Sequence, residues 1–319
     1  MTEHSEFRVT GAYRYNIHSP YRWIASHALR YRLFVAGTLL GKLGSLAAYS
    51  AAPVFIGQAA EAIINPAQAA PNALLYASLG VLGGLLGDAF SALMGSLSLE
   101  TLAQRLEADA RSELYGSLLG KSQTFHDRQR VGDIMARATD DVRSLNGMMN
   151  PGLSFLYESI LAFVIPLTYI GFINPRLLVV PVIFTLLYII TVRNYTGRLN
   201  PVTTAQREAF GRMNAALEET ISGIETVKAS AAEYYERQKF NTNAREFRHW
   251  FVRQGQLEAG YLPLLLYAIA VGATFLHALF LYRAGTIALA NVIAVMGLVN
   301  VLSFPVFISV FSFSLIQVG

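Results

Sequence analysis

The chain has 319 residues, of which 53% are hydrophobic and only 14% charged, and its formal net charge is +4. The mean hydropathy is +0.39, whereas a soluble globular domain carries a larger share of charged surface. The composition therefore argues against a soluble domain and favours a protein solvated by lipid. The sequence contains no cysteine, which excludes disulfides and thiol chemistry.

Six apolar runs are long enough to cross a bilayer. About 20 helical residues span the roughly 30 Å hydrocarbon core, and a spanning segment must satisfy its own backbone hydrogen bonds, which favours helices. The predicted spans cover residues of about 33 to 60, 73 to 98, 148 to 173, 176 to 195, 259 to 281 and 286 to 316. The sequence thus predicts an all-α membrane protein with six transmembrane helices.

The basic residues are distributed asymmetrically. All but three of the 25 Lys and Arg residues lie before the first span, between the second and third, or from Arg193 to Arg253; the exceptions are Lys42, Arg176 and Arg283. Because cytoplasmic segments carry the excess of positive charge, both termini and both long loops are predicted to be cytoplasmic. Residues 1–32 are predicted to be an N-terminal segment with an interfacial helix, since they combine Arg with Tyr and Trp.

The two long loops, about residues 99–147 and 196–256, carry helical periodicity. Structureless connections of that length are uncommon in a compact protein. Apolar residues recur near one helical face at Leu99, Leu102, Leu106, Leu114 and Leu118, and again at Met213, Leu217, Ile221 and Ile224. Each membrane helix is therefore predicted to continue unbroken into the cytoplasm, where arms of roughly 20 residues reach about 30 Å beyond the bilayer.

The first loop has a polar patch at its predicted tip. "SQTFHDRQRVGD" places Phe125 among charged side chains, and Gly132 before Asp133 predicts a turn followed by a helix start. The charged or titratable members of the patch are Lys121, His126, Asp127, Arg128 and Arg130. A patch held away from the bilayer is suited to contact a soluble partner. His126 and Asp127 could instead serve metal or acid–base chemistry, but the sequence offers no second ligand cluster, so no metal site and no catalytic residue are predicted.

Two segments resemble conserved motifs of the membrane domain of ATP-binding cassette exporters. "TFHDRQRVGDIMARATDDV" is similar to the first intracellular segment of that family, with matches at Phe125, Asp127, Gly132, Asp133, Arg137 and Asp141. "ETISGIETVKASAAE" is similar to the second, with matches at Glu219, Gly223, Ile224, Val227, Lys228 and Glu233. The resemblance extends from about residue 20 to the end and implies the export-type transmembrane fold over residues 33–319.

The resemblance implies that the two tips are short coupling helices, Phe125 to Arg130 and Gly223 to Ala232, that dock on nucleotide-binding domains. The implied docking residues are Phe125, His126, Asp127, Arg128 and Arg130 on the first tip, and Gly223, Ile224, Thr226, Val227 and Lys228 on the second. His126 and Ala136 depart from the family pattern. The implied partners are nucleotide-binding domains that hold ATP and Mg, a second transmembrane domain in a homodimer or heterodimer, and membrane lipid, with no nucleic acid. The implied location is a prokaryotic plasma membrane.

The sequence offers no credible ATP site of its own. The nearest approach to a phosphate-binding loop is "GTLLGKLGS", Gly37 to Ser45, but its glycines have the wrong spacing, Leu43 stands where Ser or Thr is required, and no strand precedes it. No cofactor is therefore predicted in this chain. The abrupt end in "SLIQVG", without a basic flank, predicts truncation just before a nucleotide-binding domain, or else a separate ATPase chain.

Two groups of residues are candidates for the substrate pathway. Lys42, Asp88 and Glu158 lie at similar depths in their spans, and because intramembrane charges are costly they usually pair or face a cavity. An ion pair of Lys42 with Asp88 or with Glu158 is predicted, either to lock the packing or to act on substrate or protons. The sixth span carries Asn300, Phe304, Phe307 and Phe311 at helical spacing, and Pro305 is able to kink it. This stripe predicts either packing or a lining for apolar or amphipathic cargo.

The sequence thus predicts the membrane domain of an ATP-driven exporter that works by alternating access on a hydrophobic or amphipathic substrate, such as a lipid, drug or peptide. An ATP-independent secondary carrier is the alternative, although it would have shorter cytoplasmic loops and more intramembrane carboxylates. A membrane scaffold without cargo is a third possibility.

Overall fold

A computed structural model describes residues 15 to 308, apart from 17 and 68, and within these residues the regular structure is helical. The helices are α1 Pro20–Arg30, α2 Arg32–Ile64, α3 Ala73–Leu119, α4 Gln123–Arg128, α5 Val131–Ala136, α6 Val142–Gly147, α7 Ser154–Ile173, α8 Val179–Ser222, α9 Ile224–Ala229, α10 Glu233–Ala259, α11 Leu262–Arg283 and α12 Leu289–Val301. Arg137–Asp141 and Met148–Leu153 form π-helical turns, and Pro175–Leu178 forms a 3-10 turn. Phe311 lies outside the described residues.

Six stretches of the described chain are long and apolar enough to cross a membrane. They are Arg32–Ile64, Ala73–Leu119, Val131–Ile173, Pro175–Ser222, Glu233–Arg283 and Leu289–Ile308. With 47 and 44 residues, α3 and α8 are about 70 Å and 66 Å long, far more than the hydrocarbon core requires. The predicted fold class, an all-α membrane protein with six spans and long helical extensions, is confirmed.

Two of the predicted continuous arms are interrupted, and there the prediction was wrong. In the third span, Asn150 has an extended backbone (φ −129, ψ 109), because the proline that follows it, Pro151, disfavours helical geometry at the preceding residue. In the fifth, the chain leaves the helix between Ala259 and Leu262, just before Pro263, which lacks the N–H needed to continue the helical ladder. Only α3 and α8 run unbroken from their spans into their arms.

The sixth span is interrupted near the predicted kink. α12 ends at Val301, Leu302 forms a turn, and the helix resumes as far as Ile308. Pro305 supplies no N–H to the carbonyl of Val301, and its ring crowds that carbonyl. The interruption therefore precedes the proline by one turn.

Two compact units divide the chain, and each is described by itself. One comprises the described residues up to Pro181 together with those from Val271, and the other is Val182–Ala270. In the first unit α2 packs closely on α3: a Cβ added at Gly41 would lie only 2.5 Å from the Cα of Gly95. Small residues allow membrane helices to approach in this way. The glycines of "GTLLGKLGS" therefore serve helix packing.

The C-terminal half of α3 forms a hairpin with the returning segment. Asn146 donates to Glu107 at 3.0 Å, and Asn150 donates to Glu100 at 2.7 Å. The core of the hairpin contains Leu102, Ala103, Leu106 and Met149. The leucine periodicity of the sequence thus marks the face that α3 buries.

The N-terminal helix α1 is fastened to the same part of α3. The indole N–H of Trp23 donates to Glu113 at 3.0 Å, and the fully buried ring of His27 lies 3.3 Å from the same carboxylate. Arg30 donates to Asp109 at 3.1 Å. Polar contacts along one face of α3 therefore hold α1 in place.

In the second unit the C-terminal part of α8 and the N-terminal part of α10 form an antiparallel hairpin. Arg212 and Glu246 pair at 2.7 Å, and Lys239 pairs with Glu219 at 2.6 Å. The ring of Phe210 on α8 also packs against that of Phe247 on α10, with centroids 5.4 Å apart. The second long loop is therefore a helical arm that turns back on itself at α9.

Candidate functional site

The three charged residues within the membrane spans, Lys42, Asp88 and Glu158, form two separate contacts. The ammonium group of Lys42 on α2 lies 2.9 Å from the carboxylate of Glu158 on α7, and it also donates to the hydroxyl of Ser96 at 3.2 Å. Asp88 instead accepts a hydrogen bond of 2.6 Å from Ser45. Of the two ion pairs considered from the sequence, the structure contains the one with Glu158, because a hydroxyl rather than an ammonium group faces Asp88.

The Lys42–Glu158 pair lines a cavity of about 410 Å³. Four segments of the first unit contribute to it: α2, α3, α7 and the end of the sixth span. The lining residues are Lys42, Ser45, Leu46, Tyr49, Ala92, Glu158, Leu161, Ala162, Asn300, Val301, Ser303 and Phe304. A volume of this size, with a mostly apolar wall and a few convergent polar groups, is typical of a small-molecule site.

Of the described members of the sixth-span stripe, Asn300, Phe304 and Phe307, two contribute to this cavity. Asn300 and Phe304 line the cavity, and the ring of Phe304 packs edge-on against that of Phe155 at 6.4 Å. Phe307 is not part of this lining, and 62% of it is exposed. Its place in the substrate pathway stays a prediction, and Phe311 lies outside the described residues.

Several lining residues were missed by the sequence reasoning. Ser45, Leu46 and Tyr49 follow Lys42 at intervals of three, four and seven residues, which places all four on one face of α2. Leu161 and Ala162 stand in the same relation to Glu158. Extending each charged position along its own helical face would have found them.

The first tip is a short helix, α4, whose bounds differ from the prediction. It covers Gln123–Arg128, so it begins two residues earlier than expected and leaves Arg130 in extended backbone (φ −72, ψ 130). The expected turn at Gly132 was wrong, because Gly132 lies within α5, and the expected helix start falls at Val131, directly after the extended Arg130. A ring nitrogen of His126 lies 3.1 Å from the carbonyl oxygen of Leu118, which ties α4 to the end of α3.

Around Phe125 the first tip remains largely accessible. Phe125 is half-buried, with the Lys121 ammonium 5.7 Å from its ring centre and the His126 ring edge-on at 5.5 Å. The side chains of Asp127 and Arg128 are exposed. The tip thus presents charged groups around one partly covered aromatic ring.

The second tip is also a short helix, α9, Ile224–Ala229, with Gly223 directly before it. It ends in a Schellman motif, in which the N–H of Ala232 bonds to the carbonyl of Val227 (2.9 Å) and that of Ala231 to Lys228 (3.3 Å). Ala231 occupies the left-handed position with φ 49. Lys228 pairs with Glu233 at 2.9 Å, so α9 is fixed to the start of α10. The side chain of Thr226 is exposed on this tip.

A family model for the ABC transporter transmembrane region matches residues 35–315. The chain belongs to this family. The match covers all six membrane-spanning stretches and both tips, and it confirms the resemblance found in the two loop motifs. The chain is accordingly an integral membrane protein, and nucleotide-binding domains are the partners that its family implies.

Known proteins similar to this one include an ABC transporter ATP-binding protein and ATP-dependent flippases. An uncharacterized ABC transporter ATP-binding protein of Bacillus subtilis is 28% identical over 61% of this chain and 34% of its own length. ATP-dependent lipid A-core flippases of Syntrophus aciditrophicus and Aromatoleum aromaticum are 25% and 27% identical, over 75% and 60% of this chain and 38% and 31% of their own lengths. The matched part therefore spans about a third of each of these relatives.

Proposed function

We propose that the chain is the membrane-spanning part of an ATP-driven exporter that moves a hydrophobic or amphipathic substrate, such as a lipid, drug or peptide, from the cytoplasmic side outward. The observation that carries the proposal is the cavity of about 410 Å³ inside a unit that belongs to the ABC transporter family. Its wall combines an ion pair with Leu46, Leu161 and Phe304, so it can accommodate a polar group and an apolar group together. The similarity to lipid A-core flippases supports an amphipathic substrate.

The two tips are proposed to couple the cavity to nucleotide-binding domains, either in the same polypeptide or in a separate one. Each tip is a six-residue helix at the end of a long arm, and α3 and α8 continue without interruption from their spans into those arms. A rigid helix transmits displacement of its end over its whole length. ATP and Mg would be held by the nucleotide-binding domains, and binding and hydrolysis there would shift the membrane domain between inward-open and outward-open states.

A second transmembrane domain, identical or related, is proposed to complete the translocation pathway. The distribution of Lys and Arg supports an orientation with both termini and both tips on the cytoplasmic side of a prokaryotic plasma membrane. In this orientation, substrate enters the cavity from the cytoplasmic leaflet or the cytoplasm.

The test is a transport assay with inverted membrane vesicles that contain the complete transporter. Phe304→Ala is expected to reduce ATP-dependent uptake of a fluorescent amphiphile several-fold, because it removes an aromatic wall of the cavity. Phe307→Ala is the matched control, since it removes the same ring from the same span outside the cavity. Equal uptake by the two variants would refute the assignment of the cavity.

The same assay separates the alternatives. Uptake that proceeds without ATP but collapses with the proton gradient would indicate a secondary carrier, and folded protein without any uptake would indicate a scaffold.

Phe125→Ala is expected to uncouple the transporter, so that ATP hydrolysis no longer responds to substrate. Unchanged coupling in that variant would refute the role of the first tip.

A further inference from the structure

The ion pair in the cavity has hydrogen-bonding capacity left over. The ammonium group of Lys42 has three N–H donors, and the described partners, Glu158 and Ser96, account for two of them. The carboxylate of Glu158 can accept about four hydrogen bonds, whereas Lys42 is its one described partner. Both side chains line the cavity, so the remaining capacity is available to a molecule inside it.

We propose that Lys42 and Glu158 select an amphiphile whose polar end is zwitterionic. Its acidic group would bind Lys42, its ammonium group would bind Glu158, and its apolar chain would lie along Leu46, Leu161 and Phe304. This inference rests on the proposed function, in that the cavity is taken to hold the transported substrate, and it adds the chemical class that the cavity accepts.

The preference follows from the cost of separating two charges inside the membrane. An anion that binds the remaining donor of Lys42 adds a negative charge beside the Glu158 carboxylate and gives a neutral site a net charge, which is unfavourable at this depth. A cation that binds Glu158 adds a positive charge beside the ammonium group in the same way. A zwitterion supplies a counter-ion to each residue and keeps the site neutral. Specificity then arises from penalties on the wrong ligands as much as from contacts with the right one.

The size of the cavity sets the size of the polar end. A volume of about 410 Å³ lies toward the lower end of the range of about 300 to 1,000 Å³ that is typical of small-molecule sites. This is enough for a phosphoethanolamine group and the first part of a chain, but not for a whole two-chain lipid. Single-chain amphiphiles are therefore suitable probes.

The test compares four probes with the same twelve-carbon tail on the purified full chain: a phosphoethanolamine, a phosphate, an amine and an alcohol. Native mass spectrometry from detergent measures the fraction of protein with one bound probe. The zwitterionic phosphoethanolamine is expected to bind about tenfold more tightly than the phosphate or the amine, as one charge-assisted hydrogen bond is enough for that factor. A fifth arm with tail-free phosphoethanolamine distinguishes a soluble zwitterion from an amphiphile, and equal binding of that probe would overturn the assignment of an amphiphile.

Three variants change the charge of the pair in defined ways. Glu158→Gln keeps the shape of the side chain and leaves Lys42 without a counter-ion, so the order should shift about tenfold toward the phosphate. Lys42→Met should shift it toward the amine. The exchange variant Lys42→Glu/Glu158→Lys restores neutrality and should again prefer the zwitterion. Asp88→Asn removes an intramembrane carboxylate that does not line the cavity and is the control, with the order of the natural protein expected.

The results separate the failure of this inference from the failure of the proposed function. If the order of the four probes is the same in the natural protein, Glu158→Gln and Lys42→Met, the pair only locks α2 to α7 and the inference is overturned, even if ATP-driven uptake is observed. Loss of the zwitterion preference in an exchange variant that still folds would overturn it as well. If the order follows the charge but the complete transporter moves no amphiphile, the binding specificity stands and the proposed function fails.

Discussion

Replacement of Gly41 by alanine is expected to push α2 and α3 apart. The added Cβ would lie 2.5 Å from the Cα of Gly95, 2.6 Å from its amide nitrogen and 2.9 Å from the carbonyl oxygen of Ser91. All three are backbone atoms, so no side-chain rotation relieves the contact, and an ordinary carbon contact of about 3.5 to 4.0 Å requires the helices to separate by roughly 1 Å. Overpacking of this kind costs about 1 to 3 kcal/mol, while alanine gains up to about 1 kcal/mol in helix propensity.

A control variant on the neighbouring helix separates the gain in helix propensity from the cost of the clash. A Cβ at Gly83 on α3 would meet nothing within 4 Å, so Gly83→Ala retains the gain without the clash. The difference between the two variants is expected to be about 1 to 3 kcal/mol in the free energy of unfolding. Gly95→Ala, whose nearest contact would be 3.0 Å, should fall between them.

The assay is thermal or denaturant unfolding of the purified protein in one detergent, followed by near-ultraviolet circular dichroism. Equal stability of Gly41→Ala and Gly83→Ala within about 0.5 kcal/mol, the usual range for substitutions away from special features, would refute the close approach of the two backbones. Lys42 is the next residue along α2, so Gly41→Ala should also displace the ion pair and weaken binding in the cavity.

Three further predictions concern other contacts. Lys42→Met should lower the free energy of unfolding by about 3 kcal/mol because it leaves Glu158 unpaired, and the double variant Lys42→Met/Glu158→Leu should recover most of this loss. A double-mutant cycle measures the coupling between the two residues, and additive losses of stability would contradict the pair. Ala231→Gly should stabilise the second tip by about 0.5 to 1 kcal/mol, since glycine adopts the left-handed conformation without strain. Gly285→Ala at the equivalent position after α11 (φ 71) should instead destabilise its turn. Hydrogen exchange at each turn measures the two changes in stability, and changes of the same sign would contradict the motif. Glu113→Ala should release α1 without unfolding the spans, because its carboxylate contacts two side chains of α1; faster proteolysis of residues 20–30 at an unchanged melting temperature is expected, and unchanged protection would contradict the contact.

Some residues of the site could be predicted from the sequence because their own charge or position in the chain identifies them. Lys42 and Glu158 could be recognised as a pair because an unpaired charge in an apolar span is costly, and each lies far from the ends of its span. Phe125 and Gly223 could be placed at turns because the motifs around them interrupt two long periodic stretches. The breaks at Asn150 and Gly260 could also have been predicted, since each precedes a proline by one to three residues.

The cavity itself could not be predicted, because it depends on how four segments are placed against one another. The choice of Glu158 over Asp88 as the partner of Lys42 was decided by the rotation of α2 relative to α3 and α7, which turns Ser45 toward Asp88 instead. The separation of Phe304 from Phe307 was decided by where the cavity ends along the sixth span.

Six helical membrane spans, two long arms and a short tip on each arm follow from the amino-acid sequence alone. Hydropathy, charge distribution and periodicity are local properties that the bilayer and the backbone convert directly into helices. Which charges pair, which helical faces line the cavity and how closely α2 approaches α3 depend on the packing of the whole unit. Those outcomes depend on contacts between residues far apart in the chain, and their energies depend on distances of a few ångströms that local patterns do not encode.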